Sequence, residues 1–230
     1  NDDVFQFSVG LNGVGTKAVN ALSSYFLVRS IREGKFFEAH FENGVLQKKK
    51  NGTTKEKDGT YIEFTPDITI LKQSKFEDEY VQKRIWNYAY LNMGLNLRYN
   101  GSNIQSKNGL LDLLNREVPE DKLYPTLHYR SQTMEFAFLH SYSYGETHFS
   151  FANGQYTSDG GSHLSAFREG ILKGVNEFAK KNFQGVDVRE GIVGAILVRV
   201  REPAFESQTK HKLSNSECRA QWLQEIKHAV

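Results

Sequence analysis

Apolar residues recur four apart at Val14, Ala18, Leu22 and Phe26, a spacing that predicts a short helix beginning near Gly13 with one buried stripe. Tyr25 to Ile31 and Phe36 to Phe41 are dense in aromatic and β-branched residues and read as strands, with hairpin chemistry at Glu33-Gly34 between them. Asn43-Gly44 follows, and then the polar run Lys48 to Asp58, whose lack of apolar positions predicts a loop. Alternation resumes from Thr60 to Phe64 as a strand and stops at Pro66-Asp67. Phe76 to Asn92 has helical spacing, with Val81, Ile85, Tyr88 and Ala89 on one side and Gly94 placed to close it.

The second half changes character after the polar stretch Asn100 to Asn108, which puts a domain boundary near Tyr99 to Gln105. Met134 to Tyr144 and Thr147 to Phe151 alternate and read as paired strands around Gly145. Gly161 to Lys181 carries Leu164, Phe167, Ile171, Leu172, Val175, Phe178 and Ala179 at three- and four-residue spacing, the most regular amphipathic pattern in the chain. Gly191 to Val200 is almost wholly apolar, as expected of a strand covered on both faces. Glu202 to Ser216 reads as a polar loop. The last amphipathic segment carries Cys218, Trp222, Leu223 and Ile226 and runs to Val230 without a capping signal, so it reads as cut rather than finished.

Composition narrows the function classes. The 230 residues suffice for one large domain or two small ones, and 39% hydrophobic with 13% aromatic content and 4 Pro argues for packed cores over disorder. The 29 Lys+Arg against 27 Asp+Glu leave a net charge of +2, so the basic footprint of a dedicated nucleic-acid binder is missing and any DNA contact is local. Lys48-Lys49-Lys50 with Lys55 and Lys57 reads first as a solvated segment and only second as a phosphate contact. No apolar run approaches the roughly 20 residues of a membrane span, and Asn1-Asp2-Asp3-Val4 does not start a signal peptide. The single cysteine fits a reducing, cytoplasmic setting. Seven histidines are scattered without metal-ligand spacing, so no metal site is expected among these residues; His140 and His148 could face each other across a hairpin.

The chemistry concentrates in Gly10-Leu11-Asn12-Gly13-Val14-Gly15, which runs into the helix from Thr16. Glycines there free backbone amides to point at an anion, and the helix N-terminus adds partial positive charge, so phosphate is the natural guest. A glycine-rich turn with no ligand fits the spacing equally well. The same residues also satisfy Gly13-x-Gly15-x-x-Ala18 with Glu33 some twenty residues on, the fingerprint of an NAD-dependent oxidoreductase, although hairpin-like strands from Tyr25 to Phe64 fit a Rossmann unit badly.

Longer motifs go further. Ser8-Val9-Gly10-Leu11-Asn12-Gly13-Val14-Gly15-Thr16-Lys17-Ala18 and its continuation to Ser23 resembles the third ATP-binding motif of type IIA DNA topoisomerases. Lys57-Asp58-Gly59-Thr60 with Phe64-Thr65-Pro66-Asp67 resembles the family's Gly-Thr strand beside adenine. Ser158-Asp159-Gly160-Gly161-Ser162-His163-Leu164 with Phe167-Arg168 is similar to the start of its transducer helix. Arg189-Glu190-Gly191, then Pro203, Phe205 and Glu206, and Ser207-Gln208-Thr209-Lys210 are similar to its Gln-Thr-Lys loop. Within the family, Asn12 replaces a histidine common in gyrase and favours the topoisomerase IV branch.

The resemblance implies an α+β fold: the C-terminal part of a GHKL-type ATPase α/β sandwich over residues 1–101, then a transducer domain of ribosomal protein S5 domain 2-like fold over 102–230. It implies that Gly10, Leu11, Asn12, Gly13, Val14 and Gly15 cradle the triphosphate of ATP and that Thr60 lies at the adenine edge. Gln208 and Lys210 are expected at the γ-phosphate, with Lys210 the principal catalytic residue. The family's water-activating glutamate, its Mg2+-binding asparagine and its adenine-reading aspartate precede the motifs present here, so these 230 residues alone are expected to be inactive. Expected partners are DNA, a second copy of the same chain in a homodimer, and the A subunit of the topoisomerase, with no membrane, in a cytoplasmic, nucleoid-associated setting. Arg168, Lys173, Lys180 and Lys181 are candidates to face DNA. A non-catalytic GHKL-related interaction domain is the remaining alternative, and it gives no reason for Ser207-Gln208-Thr209-Lys210.

Overall fold

A computed structural model describes residues 13–72, 75–118 and 120–230, which divide between Glu77 and Asp78 into two compact units. The first unit opens with helix α1 (Val14–Ala21) and continues as β1 (Ser23–Arg32), β2 (Lys35–Glu42), β3 (Val45–Thr53) and β4 (Gly59–Pro66). These strands form one antiparallel sheet in the order β3-β2-β1-β4. Glu33 and Gly34, at φ 52° and 72°, make the two-residue turn that matches strand twist. That placement removes the dinucleotide reading: Glu33 caps a hairpin, and the strands of this unit described after α1, β1 to β4, pair antiparallel.

Two expectations for this unit need correction. Lys48 to Thr53 is strand, not loop; β3 is an edge strand whose residues are all exposed, so backbone bonding to β2 holds it without any apolar alternation. The predicted stripe of α1 is not buried either. The helix buries none of its residues; Leu22 ends it, and Phe26, 3% exposed, belongs to β1, where its ring packs edge-on against Phe41 of β2.

The second unit begins with α2 (Asp78–Leu91), the hairpin β5 (Leu97–Tyr99) and β6 (Ser102–Ile104), and α3 (Leu110–Glu117). Ala89 is buried as expected, but Tyr88 faces solvent, and α2 buries Tyr90 and Leu91 beside Ala89. Gly94 serves the hairpin by donating to the Ser106 carbonyl at 3.0 Å, three residues beyond the helix end. Strands β7 (Leu127–Arg130), β8 (Met134–His140), β9 (Thr147–Ala152) and β10 (Gln155–Tyr156) follow, then α4 (Ser162–Ala179), α5 (Gly185–Arg189), β11 (Ile192–Val198) and α6 (Arg219–Ala229).

The sheet order is β10-β9-β11-β8-β7. β8 and β9 therefore do not pair with each other, as the alternation around Gly145 suggested; β11 lies between them, antiparallel to β8 and parallel to β9. His140 pairs with Ile192 and His148 with Gly194, so the two histidines do not face each other. Every residue of β11 is buried, because α4 and α6 cover one face and α3 and the end of α2 the other. Phe136, Phe138, Phe167, Ile171, Trp222 and Ile226 meet on the first face, Leu110, Leu114, Tyr90, Leu139 and Phe151 on the second. α6 approaches α4 closely at Gly170 and Gly174, where a Cβ would stand 2.7 Å from Ile226 and 2.8 Å from Val230.

Candidate functional site

In the first unit, Gly13 sits at the N-cap of α1 with φ 61°, a left-handed conformation that glycine adopts without strain, and turns the chain so that Val14 and Gly15 open the helix. All three are exposed. Among the described residues, apart from chain neighbours and the helix's own backbone, no atom lies within 4 Å of where a Cβ on Gly13 or Gly15 would stand, and no acidic residue occupies the first turn. An α-helix leaves its first amides without intrahelical partners, so this end offers donors and partial positive charge to an anion. Gly10, Leu11 and Asn12 lie outside the described residues.

Thr60 is exposed on β4, opposite Ser30 of β1. Next to Ser30, Arg29 bonds Glu38 at 2.9 Å and Glu56 at 2.5 Å, and Lys50 bonds Glu38 at 3.1 Å. The Arg29 guanidinium and then the Lys50 ammonium hold the Glu38 carboxyl below its ordinary range. Asp58 accepts from the backbone of Glu33 at 2.8 Å and fixes the segment that leads into Thr60.

Gln208 and Lys210 belong to the second unit, at the tip of a hairpin-like loop. Glu206 N–H donates to the Lys212 carbonyl at 3.1 Å, Lys210 N–H to Ser207 at 3.0 Å, and the Ser207 and Thr209 hydroxyls meet at 2.7 Å. Lys210 has φ 59°, a conformation that costs a residue with a Cβ about 1–2 kcal/mol. The surrounding loop imposes it. Gln208 is exposed and Lys210 half-buried.

The basic residues of α4 are mostly engaged. Arg168 forks onto Glu146, which also receives Arg189 at 3.2 Å and His148 at 2.8 Å. Burial would raise the Glu146 carboxyl, but the bonds from His148 and Arg168 bring it below its ordinary value. Lys173 pairs with Glu169 at 2.7 Å, and the Lys181 ammonium lies over the Phe183 ring. Among the described residues no group of three or more His, Cys, Asp or Glu side chains is placed to hold a metal ion, and no helix is long and apolar enough to cross a membrane.

A family model described as DNA gyrase B matches residues 104–230. The chain belongs to the DNA gyrase B family. It is 52% identical over its whole length to the B subunit of DNA topoisomerase 4 from Borreliella burgdorferi, and 35% identical over 94% of its length to the B subunit of DNA gyrase from Thermotoga maritima. It spans about two fifths of the length of these curated relatives, 39% and 38%. Among solved structures it resembles the 43K ATPase domain of Thermus thermophilus gyrase B, with TM-score 0.74 and 29% identity over 97% of this chain and 67% of that one. The ATPase region of Saccharomyces cerevisiae topoisomerase II shares the fold, with TM-score 0.76 at 23% identity over 90% of this chain and 56% of that one. Membership in the gyrase B family agrees with the resemblance read from the four motifs, and the fold is the expected α+β arrangement.

What sequence reading missed in this gyrase B relative is the support beneath the loop tip. Asn215, 4% exposed, accepts from Ala204 N–H at 2.8 Å and donates to the Glu202 carbonyl at 3.0 Å and to Glu217 at 2.6 Å. The available signal was a lone asparagine in a polar loop, and nothing in the sequence alone distinguishes it from a solvated one.

Proposed function

We propose that this chain is part of the ATPase subunit of a type II DNA topoisomerase, where it couples ATP binding and hydrolysis to closure of a dimeric clamp and passage of a DNA strand. The observation that carries the reading is the 52% identity to the B subunit of a topoisomerase 4 along the entire chain, with the nucleotide motifs in order. The partners on this reading are DNA, a second copy of the same chain and the A subunit of the topoisomerase, and the setting is the cytoplasm at the nucleoid. Residues 1–101 belong to the nucleotide-binding domain and 102–230 to the transducer; the start of the family match at residue 104 supports that division.

The residue roles follow the family pattern. The amides of Gly10 to Gly15 hold the triphosphate, and the open space at Gly13 and Gly15 with no acidic residue in the first turn fits a polyanion approaching the backbone. Thr60 lies at the adenine edge. Gln208 orients the terminal phosphate, and the Lys210 ammonium stabilises the charge that builds as the phosphoryl group leaves. Bound Mg2+ supplies charge neutralisation at the phosphates; none of the described residues is assigned to hold it. Arg168, Lys173, Lys180 and Lys181 are the basic residues assigned to DNA; Arg168 and Lys173 hold carboxylate partners that a DNA phosphate would have to displace.

Lys210→Ala in the full-length protein tests this reading. Steady-state ATP turnover is expected to fall on the order of 100-fold while KM for ATP changes little, because the interaction is made mainly in the transition state. Turnover at the wild-type rate would overturn the assignment.

A further inference from the structure

The loop that carries Gln208 and Lys210 is joined to the start of α4 by backbone hydrogen bonds. Asp159 N–H donates to the His211 carbonyl at 3.0 Å, Leu213 N–H to Gly160 at 3.1 Å, and Ser162 N–H to Leu213 at 3.0 Å. This short parallel bridge brings Gly161 against Leu213. Gly161 has φ 133°, and a Cβ there would stand 2.1 Å from the Leu213 carbonyl oxygen and 2.6 Å from its nitrogen. Leu213 cannot retreat: it is 1% exposed, packed in the core with Trp222 and Leu223. On the loop's other arm, Asn215 uses its carbonyl and its amide together to tie Ala204, Glu202 and Glu217, and Ser214 N–H bonds Ala204 at 2.8 Å.

We propose that Gly161 and Asn215 are positioning residues for Lys210, fixing the loop tip to the first turn of α4 so that tip and helix move as one piece. The proposal rests on the reading of Lys210 given above and adds the device that sets its place. The chemistry is steric at one end and polar at the other. Only a residue without a Cβ lets the Leu213 backbone reach Gly160 and Ser162. Only a side chain that both accepts and donates at Asn215 closes the base of the loop; alanine there removes the bonds to the Ala204 amide and the Glu202 carbonyl and leaves those groups to water, so the two arms are no longer tied. The tip bears a lysine in a left-handed conformation, so its geometry depends on both arms being held.

The test is a set of mutant cycles in the full-length protein within the assembled topoisomerase: Gly161→Ala, Asn215→Ala and Lys210→Ala, singly and in pairs with Lys210→Ala. Each positioning variant is expected to lower kcat for ATP hydrolysis about tenfold with KM for ATP little changed, and to add nothing to the loss caused by Lys210→Ala. Hydrogen exchange at the Ser162 and Leu213 amides is expected to accelerate while the middle of α4 stays protected. Wild-type kcat in the positioning variants, or losses that multiply with that of Lys210→Ala, would overturn the proposal. If Lys210→Ala itself turns over normally, the functional reading fails and this proposal with it. Should Gly161→Ala not fold, the Asn215→Ala cycle decides alone, since that side chain bonds exposed residues, Glu202, Ala204 and Glu217, and fills no core position.

Discussion

The Glu135 carboxylate stands where a side chain at Gly109 would begin, so that a Cβ on Gly109 would lie 2.6 Å from its Oε1. Glu135 is 1% exposed. It accepts from the first amide of α3, Leu110 N–H, at 2.9 Å, contacts His128 at 3.1 Å and is gripped by Arg130 at 3.1 and 2.5 Å. One buried carboxylate thus satisfies a helix N-terminus and neutralises an arginine. Glu135→Ala is expected to cost about 1–3 kcal/mol, because it leaves the buried Leu110 amide without its acceptor, while Arg130, about a third accessible, can turn to water. Gly109→Ala is expected to destabilise in the same direction by pushing the carboxylate away. Urea unfolding checks both, and an unchanged midpoint for Glu135→Ala would show that the network contributes nothing.

His163 makes stability depend on acid. It is fully buried against Trp222, and its Nε2 lies 3.1 Å from the Thr157 hydroxyl, which itself donates to the Ser150 carbonyl at 2.8 Å. That places the proton on Nε2 and leaves Nδ1 as a bare acceptor without a partner. Burial pushes the imidazole down to about 3 from its ordinary 6.5. The unfolded chain therefore takes up the proton first. The stability contributed by the neutral ring is complete above 6.5 and is lost as pH falls toward 3, at about 1.4 kcal/mol per pH unit. His163→Gln is expected to remove one proton's worth of slope from the unfolding free energy between about pH 6 and pH 4, read from denaturant titrations across that range. Parallel pH profiles would sink the assignment.

The α4–α6 contact leaves no space for side chains at its closest points. Gly170→Leu is expected to push α6 outward and lower stability by about 1–3 kcal/mol, with Gly174→Leu acting alike against Val230. Thermal melts provide the measurement. Substitution at Lys173, on the exposed side of the same helix, is the control and is expected to change little.

Phosphate release by these 230 residues alone is expected to be negligible beside that of the full-length protein. Transfer to water needs a positioned base and a metal at the phosphates, and none of the described residues is assigned either role. Robust turnover by the short chain would mean that a carboxylate within it acts as the base.

Legibility in the sequence tracked burial by periodic apolar residues. α4 and β11 were readable because Phe167, Ile171, Ile192 and Ile196 repeat on faces that the sheet and its helices cover. α3 was missed because eight residues give its Leu110, Leu113 and Leu114 too few repeats to stand out. β3 was missed because an exposed edge strand has nothing to bury. The pairing of β8 and β9 was misjudged because the strand that separates them lies some forty residues on. At the candidate site, the glycines before α1 and the Gln208 to Lys210 motif were legible as motifs. Gly161 as a steric requirement and Asn215 as a clip were not: the first is defined by Leu213, far along the chain, and the second by bonds within a loop that has no periodic pattern.

The position of β11 governs how the second unit comes into being during synthesis. Its neighbours β8 and β9 emerge first, with α4 after them, and each has its inner edge unpaired until residues 192–198 leave the ribosome. Until then neither apolar face has a continuous sheet to pack on, and two exposed edges stand ready to pair with another chain. A chain that stops before Ile192 therefore leaves the inner edges of β8 and β9 open together, and the seven residues of β11 close both at once.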